Sequence, residues 1–135
     1  RQDLQAIAAI TAAKQAGVSR IVRLSAMLAE PMQADHFAAQ HGRVDAELVA
    51  SGLEHVILRP GFFMQSIALF LPKPDAPRLI APVPTGRVAM VDAEDVAEAA
   101  IVAAAGSVAP GPHYLTGSEA FSFPEMAKAY GVVRG

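Results

Sequence analysis

The period of apolar and polar positions changes several times along the chain, and each change marks an element. From Asp3 to Ala16, Leu4, Ile7, Ala8 and Thr11 recur at helical spacing with alanine between them, and Gly17 stands where a left-handed cap falls. This predicts a helix. Ile21-Val22-Arg23-Leu24 is a short β-branched run ending at Ser25 and predicts a strand of a parallel sheet. Residues 26–34 hold a proline and small side chains and read as a loop beyond that strand's carboxyl end. Asp35 is placed to cap a second helix running to about Ser51, with Phe37, His41, Val44 and Leu48 on one face and Gly52 closing it.

The segment Leu53 to Gln65 carries the strongest pattern. His55 to Leu58 predicts a buried strand that enters a turn at Arg59-Pro60-Gly61 and then delivers Phe62, Phe63 and Met64. Alternation of helix and strand defines an α/β class. In open sheets of that class ligands sit at the carboxyl ends of the strands, which makes this segment the candidate binding element. Ser66 to Leu71 continues as a short helix, and residues 72–86, with five prolines, read as an irregular surface or lid-like excursion. Val88 to Val91 is a short extended piece. Asp92 caps a helix to about Ala105 with Val96, Ala99, Ala100 and Ala103 on one face, and Tyr114-Leu115 lies in a last strand. Ser122 and Glu125 form a capping box, with Phe121 and Met126 as its hydrophobic staple.

Composition narrows the function classes. With 135 residues and 53% hydrophobic content, the size suits one domain with its own core. A net charge of −2 with no basic stripe argues against nucleic acid and against a polybasic membrane anchor. The absence of cysteine excludes disulfides, thiolate metal sites and a cysteine nucleophile. No apolar run approaches the roughly 18 residues of a membrane span, and no signal pattern opens the chain, so a soluble, cytoplasmic protein is expected. The chain begins at Arg1 already in helical pattern, with no strand before it, and reads as a fragment.

Several residues can carry chemistry. His41 and Asp45 are four apart, so on a helix they share a face, where a hydrogen bond would raise the basicity of the imidazole. An ordinary helix-face pair is the alternative. His36, His55 and His113 show no metal-binding spacing, and no metal is expected. Ser25 either meets a ligand at the strand end or satisfies a backbone group there. Phe62, Phe63 and Met64 either line a pocket or belong to the core. Arg59 suits a phosphate or a helix carboxylate equally. Asp92 and Asp95 resemble paired catalytic acids, but helix capping explains them better. There is no GxSxG elbow, and no GxGxxG, GxxGxxG or GxxxxGK[ST] phosphate cradle.

The segments AAKQAGVSRIVRLSA, HGRVDAELVASGLEHVILRPGFFMQS and VDAEDVAEAA, followed by YLTGSEAFSFPEMA, resemble the NmrA-like, or atypical short-chain dehydrogenase/reductase, NAD(P)-binding family. The resemblance implies an α/β fold: the C-terminal part of a Rossmann-like parallel sheet with flanking helices, its first βαβ unit absent. Residues 1–135 then form one partial NAD(P)-binding domain with a C-terminal substrate-side segment. It implies NAD or NADP as cofactor, and Ser25, Ala26, His41, Pro60, Gly61, Phe62 and Phe63 as cofactor-binding residues. Met64 and Gln65 lead toward the substrate side, and His41 is the catalytic candidate. The wider superfamily's YxxxK pair falls on Phe37 and His41, so its phenol and lysine are both missing.

Two functions follow from the resemblance. One is an NAD(P)-dependent oxidoreductase passing hydride to a small acceptor such as a quinone. The other is a non-catalytic redox-sensing regulator that binds dinucleotide and docks on a partner protein, with the proline-rich excursion as its docking surface. The isolated stretch is expected to bind dinucleotide weakly, because it lacks the phosphate-binding turn.

Overall fold

Three short strands rich in apolar residues form a parallel sheet in the order β1-β2-β4, with β1 at Arg20–Leu24, β2 at Glu54–Pro60 and β4 at Gly111–Leu115. The computed structural model describes residues 2–32, 36–69 and 85–134. It divides into two compact units, Arg1–Pro60 with Glu94–Leu115 and Gly61–Ala93 with Thr116–Gly135.

In the first unit, Arg23 pairs with Ile57 and Leu24 with Leu58, while Arg59 pairs with Tyr114. Because side chains alternate along a strand, Ile21, Arg23, Ile57 and Arg59 share one face of the sheet and Val22, Val56 and Leu58 the other. Helices α1 (Gln2–Gln15) and α2 (His36–Ala50) cover the first face, where Ile10, Val44, Leu48 and Ile57 form a buried cluster. Helix α3 (Ala93–Ala104) covers the second, and Ala99, Ala100 and Ala103 bring it close to Val56 and Leu58. That alanine stripe follows the sequence pattern. Gly17 adopts a φ of 75° after α1, and Val18 N–H donates to Ala13 O at 3.0 Å, the left-handed closure that favours glycine. Arg43 bonds Asp3 at 2.7 Å and ties α2 to α1. An open apolar groove runs between α1 and β1, lined by Ala6, Ile10, Ala13, Ile21 and Leu24.

Two helix faces differ from the expected ones. In α1, Leu4 is 67% exposed and Ile10 is buried in its place, with Ala6 and Ile7 half-buried beside it. An alanine-rich helix carries little amphipathic signal, so packing against the sheet and α2 selects the face. In α2, Phe37 is 59% exposed, while Ala38, Ala39, Gly42 and Asp45 join Val44 and Leu48 inside. The strand expected over His55 to Leu58 continues through Pro60. The cap at Asp35 and most of the proline-rich excursion lie outside the described residues.

The second unit is smaller. Strands β3 (Arg87–Val88) and β5 (Phe121–Ser122) pair antiparallel, a 3-10 helix spans Met64–Leu69, and α4 spans Phe123–Arg134. Met90, Phe123 and Met126 form its core with Ile67 and Val88. The capping box is present: Ser122 N–H donates to Glu125 Oε2 at 2.7 Å, and Glu125 N–H donates to Ser122 Oγ at 3.4 Å. The Ser122 N–H and hydroxyl, both donating to Glu125 Oε2, hold that carboxyl below its ordinary range together with Arg87. The expected staple is corrected: Phe123 is the aromatic buried with Met126, while Phe121 extends in β5 and stays exposed.

Candidate functional site

The carboxyl end of β1 is stitched to that of β2. Ser25 N–H donates to Leu58 O at 2.8 Å and Met27 N–H donates to Pro60 O at 3.0 Å, so Ser25, Ala26 and Pro60 come together. Leu28, in the same segment, holds a φ of 60°. A branched side chain in the left-handed region costs on the order of 1–3 kcal/mol, and such strain clusters where a loop is held for binding.

Beneath this edge lies a buried ionic network. Asp45, on the inner face of α2, is only 3% exposed. Its Oδ1 accepts from Arg23 Nε at 2.8 Å, and its Oδ2 accepts from Ser25 Oγ at 2.8 Å and from Arg59 Nε and Nη2 at 3.1 and 3.0 Å. A carboxylate can enter the interior when donors surround it in this way. Arg59 also donates to the Tyr114 hydroxyl at 3.1 Å and lies 5.8 Å from the centre of that ring. Its contact with Glu30 is longer, at 3.5 Å. Arg23 reaches His41, with Nη2 3.3 Å from Nδ1.

The reading of His41 and Asp45 as a base-strengthening pair is overturned. Both oxygens of Asp45 are engaged by other donors, and burial followed by the charge of Arg23 lowers the His41 pKa, outweighing the opposing pull of Asp45. That shift favours the neutral form of the ring. For Arg59 the carboxylate reading holds, since it pairs with helix residue Asp45. Ser25 satisfies that same carboxylate rather than a backbone group.

In the second unit the segment after β2 is fixed by backbone bonds. Met64 N–H donates to Val91 O and Val91 N–H to Phe62 O, both at 2.9 Å. Phe63 is half-buried, whereas Phe62 and Met64 are exposed and are not core. Gln65 donates to Asp92 Oδ1 at 2.9 Å and accepts from Ala93 N–H at 3.2 Å, so its amide is engaged at the start of α3. Asp92 thus stands at a helix start, the place capping requires. Among the described residues no group of three or more His, Asp or Glu side chains can hold a metal ion, and no helix is long and apolar enough to cross a membrane.

Sequence reasoning missed Arg23 and Tyr114. A signal for Arg23 was present. An arginine inside a β-branched run shares its face with Ser25, and two arginines on adjacent buried strands require a buried acid, which among the acids of α2 only Asp45 supplies at the i+4 spacing below His41.

This architecture places the chain among α/β proteins that bind ligands at parallel-strand ends. The sequence profile described as NAD(P)H-binding matches residues 1–106, and the chain belongs to that family. It is 30% identical over 130 residues to the NAD(P)H azoreductase of Xenophilus azovorans, covering 95% of this chain and 46% of that protein. It is 31% identical over 127 residues to the uncharacterized oxidoreductase YesF of Bacillus subtilis, covering 91% and 42%. Among solved structures it matches the NADPH-dependent quinone oxidoreductase QOR2 of Escherichia coli, crystallised with NADPH, at a TM-score of 0.81 and 25% identity, over 97% of this chain and 47% of that one. A nucleoside-diphosphate-sugar epimerase of Staphylococcus aureus shares the fold at a TM-score of 0.74 and 22% identity, over 93% and 46%. The fold is Rossmann-like, and the chain spans about half the length of the relatives it matches.

Proposed function

We propose that this chain forms the nicotinamide-side part of an NAD(P)-dependent oxidoreductase that reduces a small, flat acceptor such as a quinone or an azo compound. The observation that carries the reading is the joined carboxyl edge of β1 and β2, where Ser25, Ala26 and Pro60 meet and Ser25 shares Asp45 with Arg23, which reaches the half-buried His41. The similarity to an azoreductase and a quinone oxidoreductase supports the choice of acceptor.

The residues present fit this side of the cofactor. Asp45 is neutralised by two guanidiniums, so no unpaired carboxylate is presented there, and the half-buried Ala26 offers small, apolar surface beside the buried Pro60. In the first unit Ala26 and His41 are the residues that would meet the ring, with Ser25 and Pro60 buried behind them. For the second unit the family resemblance alone supports Gly61, Phe62 and Phe63 as cofactor-binding and the exposed Met64 as acceptor-side. The phosphates require a glycine-rich turn that the 135 residues do not contain. The bound nicotinamide supplies hydride. The chain's part is orientation, exclusion of water and a hydrogen bond from His41 to a polar group of the ring or the acceptor. A flat acceptor that takes hydride directly tolerates the missing phenol at Phe37.

That missing phenol also favours the second reading, a dinucleotide-binding redox sensor that does no chemistry and docks on a partner protein. One experiment separates them: NAD(P)H oxidation by the full-length protein with quinones and azo dyes. Turnover that saturates in both substrates is expected. Tight NAD(P)H binding with no oxidation by any of these acceptors would establish the sensor in its place.

A further inference from the structure

His41 has a tautomer that the structure dictates. A guanidinium has only N–H donors, so the contact between Arg23 Nη2 and His41 Nδ1 makes Nδ1 the acceptor and leaves the ring proton on Nε2. A doubly protonated ring would set N–H against N–H and two cations against each other. Arg23 is itself fixed, because its Nε donates to Asp45, and Asp45 is held from the far side by Arg59 and Ser25. The groups around the imidazole are therefore Arg23 from β1, Asp45 and the Phe37 ring from α2, with Arg59 from β2 and Glu30 from the preceding loop acting through Asp45 and Arg59. The Phe37 ring lies 4.6 Å from the imidazole, tilted by 56°.

We propose that Arg23 is a positioning residue: by fixing Nδ1 as an acceptor, it sets the ring's tautomer and presents Nε2–H as the donor used in the reduction. Burial of the ring acts in the same direction as the Arg23 charge, and both favour the uncharged donor. The proposal rests on the oxidoreductase reading for what Nε2–H touches, but the state of the ring is measured independently of turnover.

The test uses full-length protein labelled with 15N at histidine. Two-bond 1H–15N spectra report the His41 tautomer and its titration, and NAD(P)H oxidation is followed across the same pH range. In the wild type, the proton is expected on Nε2 and the midpoint below that of a free histidine. In Arg23→Gln the midpoint is expected to rise and the tautomers to mix, with the acidic limb of the rate profile moving by the same interval. Arg23→Lys, which keeps a cation beside Asp45 but cannot bridge it to His41, is expected to mix the tautomers as well. A wild-type proton on Nδ1 overturns the proposal even if neither variant folds, and so does a midpoint unmoved in Arg23→Gln. The expected ring state in a protein that oxidises no NAD(P)H would overturn the oxidoreductase reading instead.

Discussion

Asp45→Asn is expected to lower the unfolding free energy by about 3–5 kcal/mol, the cost of breaking a buried ion pair and leaving its partner charges uncompensated. Asp45 is the only carboxylate in contact with Arg23 among the described residues, and it takes two bonds from Arg59. An amide at this position offers one acceptor oxygen, so one arginine faces an NH₂ donor across a site with little water. Urea denaturation of the two proteins measures the difference. A loss below about 1 kcal/mol would mean that the carboxylate behaves as an exposed pair, where such contacts are worth little. The effects of Arg23, Arg59 and Ser25 substitutions should be far from additive with it, because all three donate to the same two oxygens.

Gly42→Ala should be the second most damaging change. A Cβ built at Gly42 lies 2.2 Å from the carbonyl carbon of Glu30, 2.5 Å from Pro31 N and 2.6 Å from Glu30 Cα. All three are backbone atoms, so no side-chain rotation relieves the overlap and the loop after β1 must move off α2. Overpacking of this kind costs about 1–3 kcal/mol. The same loop begins with Ala26, so NAD(P)H affinity should fall together with stability. Denaturation and cofactor titration on one preparation check both. Unchanged affinity in a destabilised but folded variant would show that the loop does not touch the cofactor.

How much of this was legible in sequence depended on the kind of signal. The β-branched strands, the glycine cap at Gly17, the small-residue face of α3 and the Ser122–Glu125 capping box are local, and each was readable because neighbouring residues decide it. The inner face of α1 was not. Alanine on every side leaves the choice between Leu4 and Ile10 to tertiary packing. Likewise Phe121 and Phe123 are equally apolar, and only the pairing of β5 with β3 sends the first outward. In the site, Ser25 was singled out from its place at a strand end, Ala26 and Pro60 only from the family resemblance, and the backbone bonds between β1 and β2 bring the three together. The role of Asp45 was misread because spacing on one helix sees His41 but is blind to Arg23 and Arg59 arriving from two other elements. A pKa depends on the summed neighbourhood, and the sequence displays only one strand of it at a time.

The nicotinamide wall is the central claim, and backbone amide shifts on adding NADPH to labelled full-length protein test it most directly. Progressive, saturable shifts are expected at Ala26, Gly61, Phe62 and Phe63, with the His41 ring moving alongside them. Saturable binding that leaves all of these resonances in place, and moves others instead, would contradict it.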